Sequence, residues 1–118
     1  MLAQYACELV GAFVHEGQAE PRLYALLETT LLVLDAAHGT PGRGFLAALE
    51  LKVLTFGGVA PEVLRVIERL ERLRRAPLRD VLDDPLDAEA EALVYDALRG
   101  HLGRELGARV LLAGVGWA

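Results

Sequence analysis

The chain has 118 residues, of which 53% are apolar and 25% charged, and its formal net charge is −5. This length suits one domain with a single core, and the apolar share is too high for a disordered chain. Affinity for nucleic acid comes mainly from neutralised phosphates, so the negative charge argues against DNA binding by the whole surface. The lone Cys7 excludes an internal disulfide and any metal site built from several cysteines.

The pattern of apolar residues does not predict a membrane protein. The longest apolar stretch, 23–37, contains two acidic residues and falls short of the roughly 20 apolar residues that a bilayer crossing needs. No basic segment stands ahead of an apolar core at the N-terminus, which argues against a signal peptide. We therefore expect no membrane span and a cytoplasmic location.

Apolar residues recur at three- and four-residue steps along most of the chain. This spacing predicts an all-α fold, a single domain of about five helices over 1–118. The first helix covers about 2–14 and starts apolar without a cap, so we expect further chain before Met1. Pro21 begins a second helix that is apolar nearly all round, the pattern of a central helix.

The stretch 45–61 contains the clearest helix and its end. Six apolar side chains form its stripe: Phe45, Leu46, Leu49, Val53, Leu54 and Phe56. Gly57 and Gly58 can adopt the left-handed conformation that ends a helix, and Pro61 suits the first turn of the next one. We expect this stretch to lie at the centre of the domain.

The last two helices follow from proline and aspartate positions. The fourth is predicted to run unbroken from Pro61 to Pro77, and the fifth to start with Asp87 as its N-cap. The predicted buried face of the fifth helix holds Leu93, Val94, Ala97, Leu98, His101, Leu102 and Leu106. We interpret its glycines as a face for close helix packing: Gly100, Gly103 and Gly107. Trp117 is expected to dock on the core or on a partner.

No catalytic constellation is visible in the sequence. The histidines His15, His38 and His101 are far apart, and no HExxH or CxxC spacing exists. We interpret the first two as helix-end residues and His101 as a partly buried core residue. Cys7 lies beside the stripe of the first helix and is predicted to be a small core residue.

Two charged clusters stand out. An acidic run is interpreted as a solvated helix start: Asp83, Asp84, Asp87, Glu89, Glu91 and Asp96. A basic cluster follows Pro61: Arg65, Arg69, Arg72, Arg74, Arg75 and Arg79. The i,i+4 spacing predicts that Glu68 pairs with Arg72 and Glu71 with Arg75. Neighbouring carboxylates neutralise about half of the cluster, so it is either an ordinary surface helix or a local phosphate-binding patch. The predicted DNA-binding residues are Arg65, Arg69, Arg72, Arg75 and Arg79.

Several motifs resemble the C-terminal helical domain of the RecO family. Glu50-Leu51-Lys52 is followed by Leu54, Gly58 and the run Ala60-Pro61-Glu62. Weaker matches extend toward both ends: Tyr5, Glu8, Leu9, Glu16, Gly17, Pro21, Leu23, Tyr24, Leu26, Leu27, Leu98, His101, Leu102, Gly103, Leu106 and Arg109. The resemblance implies a non-enzymatic mediator of recombinational DNA repair.

The chain departs from the family in two places. Many members continue after Ala-Pro-Glu into the first ligand of a four-cysteine zinc site, where this chain has Val66 and no later cysteine. We therefore expect no zinc or other cofactor, and a straight helix through the position of the metal loop. The strands of the family's N-terminal OB-fold are also missing, so we expect the chain to be part of a longer protein.

The resemblance further implies partners, namely RecR, RecF, single-stranded DNA and the acidic, Phe-ended C-terminal tail of single-stranded DNA-binding protein. Such a tail requires an apolar groove edged by cations. We assign this groove to Phe45, Leu49 and Phe56, with Arg43 and Lys52 at its edge.

Two alternatives from other functional classes stay open. One is an oligomerisation module that uses the three glycines of the last helix and Trp117. The other is a small metal-dependent hydrolase that uses His101 with the acidic run.

Overall fold

The computed structural model describes residues 2–15, 21–37 and 39–103, the side chains of His15 and Arg65 excepted. It contains α1 (Leu2–His15), α2 (Pro21–Ala36), α3 (Arg43–Phe56), α4 (Glu62–Arg65), α5 (Glu68–Arg75), a 3-10 turn (Leu78–Asp80) and α6 (Ala88–Leu102). No strand occurs in these ranges, which confirms the predicted all-α class. None of the helices described is both long and apolar enough to cross a membrane. His38, Leu106, Gly107 and Trp117, for which predictions were made, lie outside the described residues.

Helix α3 is the centre of the fold. Every residue from 44 to 51 is buried, and the helix contacts α1, α2, α5, α6 and the 3-10 turn. Helix α2, predicted to be central, buries Leu23 and Leu26 but leaves Tyr24 and Leu32 more than half exposed. The prediction for α2 is wrong because apolar residues all round a helix do not ensure that neighbours cover every side of it.

One buried polar contact ties α1 to α3. The hydroxyl of Tyr5 donates a hydrogen bond to Oε2 of Glu50 at 2.5 Å, and both residues are fully buried. A buried carboxyl is costly unless it is hydrogen-bonded, so this contact helps to fix how α1 lies on α3.

The end of α3 and the start of α6 follow the sequence predictions. Gly58 has φ 73°, and the N–H groups of Gly58 and Val59 donate to the carbonyls of Thr55 and Leu54. This arrangement is a Schellman motif, which satisfies the last carbonyls of α3. At the start of α6, Oδ1 of Asp87 accepts a hydrogen bond from the Ala90 N–H at 2.7 Å. The predicted glycine stop and aspartate N-cap are both confirmed.

The predicted fourth helix is two helices. The chain turns at Val66, and Ile67 has extended backbone (φ −86°, ψ 103°) before α5 begins. Two consecutive β-branched residues are restricted in a helix. The break allows Ile67 to pack against the core, whereas Val66 is 80% exposed. The prediction of a straight helix through this position is therefore wrong.

Four predictions about single residues are also wrong. Leu93 is 50% exposed, while Glu91 is buried on the face of α6 that also buries Val94 and Leu98. Glu91 therefore does not belong to a solvated acidic surface. Cys7 is exposed on the outer side of α1, opposite its buried stripe. His101 is exposed as well, and one face of its ring stacks on Phe13 with 5.3 Å between the centroids.

Two loops join at the start of α3. The N–H of Gly42 donates to the carbonyl of Leu82, and the N–H of Gly44 donates to that of Asp84, both at 2.9 Å. A Cβ atom at either glycine would lie 2.3 Å from an atom of Asp84. The side chain of Asp84 in turn accepts a hydrogen bond from Arg69 at 2.7 Å. This junction holds the segment after the 3-10 turn against α3.

Candidate partner-binding groove

A cavity of about 330 Å³ lies between α2, the C-terminal half of α3 and the segment around the 3-10 turn. We call it the α2–α3 groove. All three elements contribute to its apolar lining, chiefly through Leu26, Val33, Phe56, Pro77 and Leu78. The groove depends on tertiary structure, because residues far apart in sequence form its walls.

Three cationic side chains edge the α2–α3 groove: Arg22, Lys52 and Arg79. The guanidinium carbon of Arg22 lies 5.0 Å from the centroid of the Phe56 ring, a cation–π contact. Arg79 is 79% exposed, and its Nε is 3.9 Å from Oδ1 of Asp80, a distance typical of weak surface pairs. No carboxylate lines the groove within the described part of the chain. The site therefore suits a ligand that joins an apolar group to negative charge.

Lys52 is the most constrained of these cations. Its Nζ donates a hydrogen bond to the backbone carbonyl of Arg74, in the last turn of α5, at 2.7 Å. Partial burial, followed by the nearby positive charge of Arg74, lowers the pKa of Lys52 from its ordinary value. The ammonium is therefore poorly solvated and lies close to another cation, a setting that an incoming anion would improve.

The structure changes the groove predicted from the sequence. Lys52 and Phe56 line it, whereas Phe45 and Leu49 are 0% and 1% exposed and belong to the core. Arg43 stands at the opposite end of α3, about 13 Å along the helix axis from Lys52 at 1.5 Å per residue. The assignment of Phe45, Leu49 and Arg43 to this groove is wrong because the core takes the middle of the apolar stripe.

Sequence reasoning missed Arg22 and placed Arg79 elsewhere. Arg22 opens a face of α2 that continues through Leu26, Thr29 and Val33 at steps of three and four residues. This spacing, with an arginine at the start of an apolar face, could have identified Arg22 as a groove residue from the sequence. Arg79, predicted to bind DNA, lies at the edge of the groove.

The arginines of α5 form ion pairs with carboxylates of this chain. Nitrogen atoms of Arg72 and Arg75 lie 3.1 Å from carboxylates of Glu68 and Glu71, the two pairs predicted from i,i+4 spacing. Arg69 pairs with Asp84 at 2.7 Å, and Arg74 pairs with Glu71. The side chain of Arg65 lies outside the described residues. DNA binding by Arg65, Arg69, Arg72, Arg75 and Arg79 stays a prediction, and any phosphate would have to compete with these carboxylates.

We expect the Glu71→Gln variant to be less stable than wild type at neutral pH but not in strong acid. Hydrogen bonds from Arg74, and the charges of Arg74 and Arg75, lower the pKa of Glu71 from 4.5 to about 2 against the effect of burial. A carboxyl with a lowered folded-state pKa stabilises the fold above its unfolded pKa, and this contribution fades as the pH falls from 4.5 toward 2. The thermal unfolding midpoints of wild type and Glu71→Gln, measured between pH 2 and 7, should therefore differ most near neutrality and converge in acid. Glu68→Gln, at an exposed pair, is the control, and equal pH profiles for wild type and Glu71→Gln would contradict this role.

No cluster for metal binding is found among the described residues. No group of three or more His, Cys, Asp or Glu side chains in that part of the chain is placed to hold a metal ion. The resemblance implies a first zinc ligand near position 66, and the exposed, apolar side chain of Val66 does not fit that role. The absence of a cofactor stays a prediction.

Two of the three glycines predicted to form a packing face, Gly100 and Gly103, lie in the described part of the chain. Gly103 has φ 72° and ends α6 as its C-cap, so its conformation explains its presence. A Cβ atom at Gly100 would have nothing within 4 Å, so no described helix of this chain packs closely on that position. The oligomerisation module, which would place a second copy there, stays a prediction.

Comparison with known proteins identifies the family. The profile of the family described as "Recombination protein O C terminal" matches residues 1–66, which cover α1 to α4 and end at the break at Val66. The DNA repair protein RecO of Desulforudis audaxviator (strain MP104C) is 43% identical over 63 residues, or 52% of this chain and 24% of the relative. The chain thus spans about a quarter of the length of that relative. No solved structure matches. Since the profile covers residues 1–66 of 118, the chain belongs to the RecO C-terminal domain family.

Proposed function

We propose that this chain is a non-catalytic binding domain that acts in DNA repair and recombination. Its α2–α3 groove would hold the acidic, Phe-ended tail of single-stranded DNA-binding protein. Family membership and the relative named DNA repair protein RecO support the general role. The observation that carries the specific proposal is an apolar cavity edged by Arg22, Lys52 and Arg79, with no carboxylate in its described lining.

The size of the groove suits an anchor side chain better than a whole ligand. Its volume of about 330 Å³ is at the lower end of the range of ligand pockets, about 300 to 1,000 Å³. One phenyl ring can enter between Leu26, Phe56 and Leu78, where it gains apolar burial and an aromatic contact. The carboxylates of the tail then remain at the rim, within reach of the cations.

The resemblance to the RecO family supports further partners. RecR and RecF are proposed as partners of the whole protein. Single-stranded DNA is proposed for α5, where Arg72 and Arg75 are 69% and 73% exposed. Both arginines already pair with carboxylates, so we expect this DNA binding to be weak and strongly reduced by salt.

We expect a fluorescently labelled acidic peptide ending in Phe to bind the chain with a Kd of about tens of micromolar at low salt, as rim charges and one anchor would give. Fluorescence anisotropy measures this directly. Arg79→Met should weaken binding about two- to fivefold, the usual worth of one exposed ion pair. Arg99→Met, on α6 and outside the groove lining, is the matched control and should bind like wild type.

The same peptide with Ala in place of its final Phe tests the apolar anchor. It should bind much more weakly, because the carboxylates alone gain little at an exposed rim. Equal binding of the two peptides, or no binding of either at tens of micromolar, would refute the assignment of the groove.

A further inference from the structure

The C-terminal end of α5 and the α2–α3 groove share one side chain, Lys52. The last carbonyls of a helix have no partner within the helix and form the negative end of its dipole. In α5, the Arg72 carbonyl accepts the N–H of Ala76 at 3.0 Å, and the Arg74 carbonyl accepts the ammonium of Lys52 at 2.7 Å. Lys52, which belongs to α3 and lies at the rim of the groove, therefore supplies a hydrogen-bond donor to the C-terminal end of α5.

The ammonium of Lys52 has capacity for another partner. A lysine carries three N–H donors, of which the Arg74 carbonyl uses one. Within the described part of the chain, no carboxylate forms an ion pair with Lys52. A carboxylate in the groove could therefore accept a second hydrogen bond while the bond to Arg74 is kept.

We propose that Lys52 is a positioning residue that couples occupancy of the α2–α3 groove to the order of the C-terminal turn of α5. A ligand carboxylate that accepts a second hydrogen bond from Lys52 restrains its side chain, and this lowers the entropy cost of holding the Arg74 carbonyl. Coupling is reciprocal, so an ordered end of α5 in turn favours ligand binding. The C-terminal turn of α5 carries Arg72, Arg74 and Arg75, so a ligand in the groove also orders these arginines. This inference rests on the proposed function of the groove.

The dipole of α5 explains why Lys52 differs from the other cations of the groove. Without Lys52, the partial negative charge on the carbonyls at the end of α5 would face the incoming carboxylate and repel it. Loss of Lys52 removes one cation and also exposes this repulsion. Loss of Arg79 removes a rim charge that has no hydrogen bond to α5 among those observed.

Hydrogen exchange of the full chain, with and without the acidic Phe-ended peptide, tests the coupling. In wild type we expect saturating peptide to slow exchange of the amides from 72 to 76 about fivefold, the effect of securing one hydrogen bond. Lys52→Met should abolish this slowing at saturation, and Lys52→Arg should retain part of it. Arg79→Met should weaken binding but keep the full slowing once the peptide is saturating.

The possible outcomes separate the coupling from the function of the groove. Peptide binding without a change at 72–76 overturns the coupling and leaves the groove assignment intact. Equal slowing in Lys52→Met and wild type also overturns it. If the wild-type chain does not bind the peptide at all, both proposals fall. Slowing that is lost in Lys52→Met but kept in Arg79→Met supports the coupling.

Discussion

Replacement of Phe45 by alanine is expected to lower the free energy of unfolding by about 3 to 5 kcal/mol, the usual cost of truncating a buried phenylalanine. Phe45 is fully buried in α3, the helix that contacts most of the other elements. A domain of this size is typically stable by only about 5 to 15 kcal/mol, so the loss is a large part of the total. Urea denaturation followed by circular dichroism measures it.

Phe56→Ala is the matched control, because it removes the same side chain from the same helix. Phe56 is half-buried at the edge of the groove, so we expect a smaller loss of about 1 to 2 kcal/mol. The effects on peptide binding should be reversed. Phe56→Ala should abolish binding, whereas Phe45→Ala should retain it wherever the variant is folded. If Phe45→Ala lost affinity while remaining folded, the groove would lie elsewhere on α3.

Gly42→Ala is expected to destabilise the chain by about 2 to 3 kcal/mol, a typical cost of forcing extra atoms into a close contact. The new Cβ atom would lie 2.3 Å from the carbonyl oxygen of Asp84 and 3.0 Å from its carbonyl carbon. These are backbone atoms, so they cannot move aside by a change of rotamer. The clash would also disrupt the hydrogen bond from the Gly42 N–H to Leu82. A lower urea midpoint with an unchanged slope would show the effect.

Gly100→Ala is the same chemical change at an open helical position. A Cβ atom there would have nothing within 4 Å, so the variant should be more stable by about 0.5 to 1 kcal/mol through reduced backbone entropy of the unfolded chain. The two variants are thus expected to shift the urea midpoint in opposite directions. A midpoint for Gly42→Ala equal to that of wild type would show that the junction with Asp84 can relax freely.

The sequence correctly predicted helix boundaries and ion pairs that depend only on residues a few positions apart in the chain. The glycine pair Gly57-Gly58 predicted the end of α3, where Gly58 has the positive φ that suits glycine, and Asp87 predicted the start of α6 because its carboxylate can accept a nearby N–H. The pairs of Glu68 with Arg72 and Glu71 with Arg75 followed from i,i+4 spacing.

The predictions that failed depended on which face of a helix meets a neighbour. Cys7 and Leu93 are apolar residues close to a buried stripe, yet both are exposed because the adjoining helices cover a different arc. Val66 and Ile67 follow the helical pattern, but the core accepts only the second of them and the helix breaks there. Periodicity identifies an apolar face but does not show how much of it is covered.

The sequence by itself determined the all-α class, the C-terminal end of α3, the N-cap of α6, the charge pairs along α5 and the resemblance to the RecO family. The sequence also assigned Lys52 and Phe56 to the groove, but only the tertiary structure joined them to Arg22 and Arg79. Arg22, Lys52 and Arg79 come from three separate segments, and they edge one groove because α2, α3 and the 3-10 turn meet there. The same packing brings Lys52 to the carbonyl of Arg74, 22 residues later in the chain. Helical spacing relates residues within about one or two turns, and contacts over longer separations depend on how complete helices pack together.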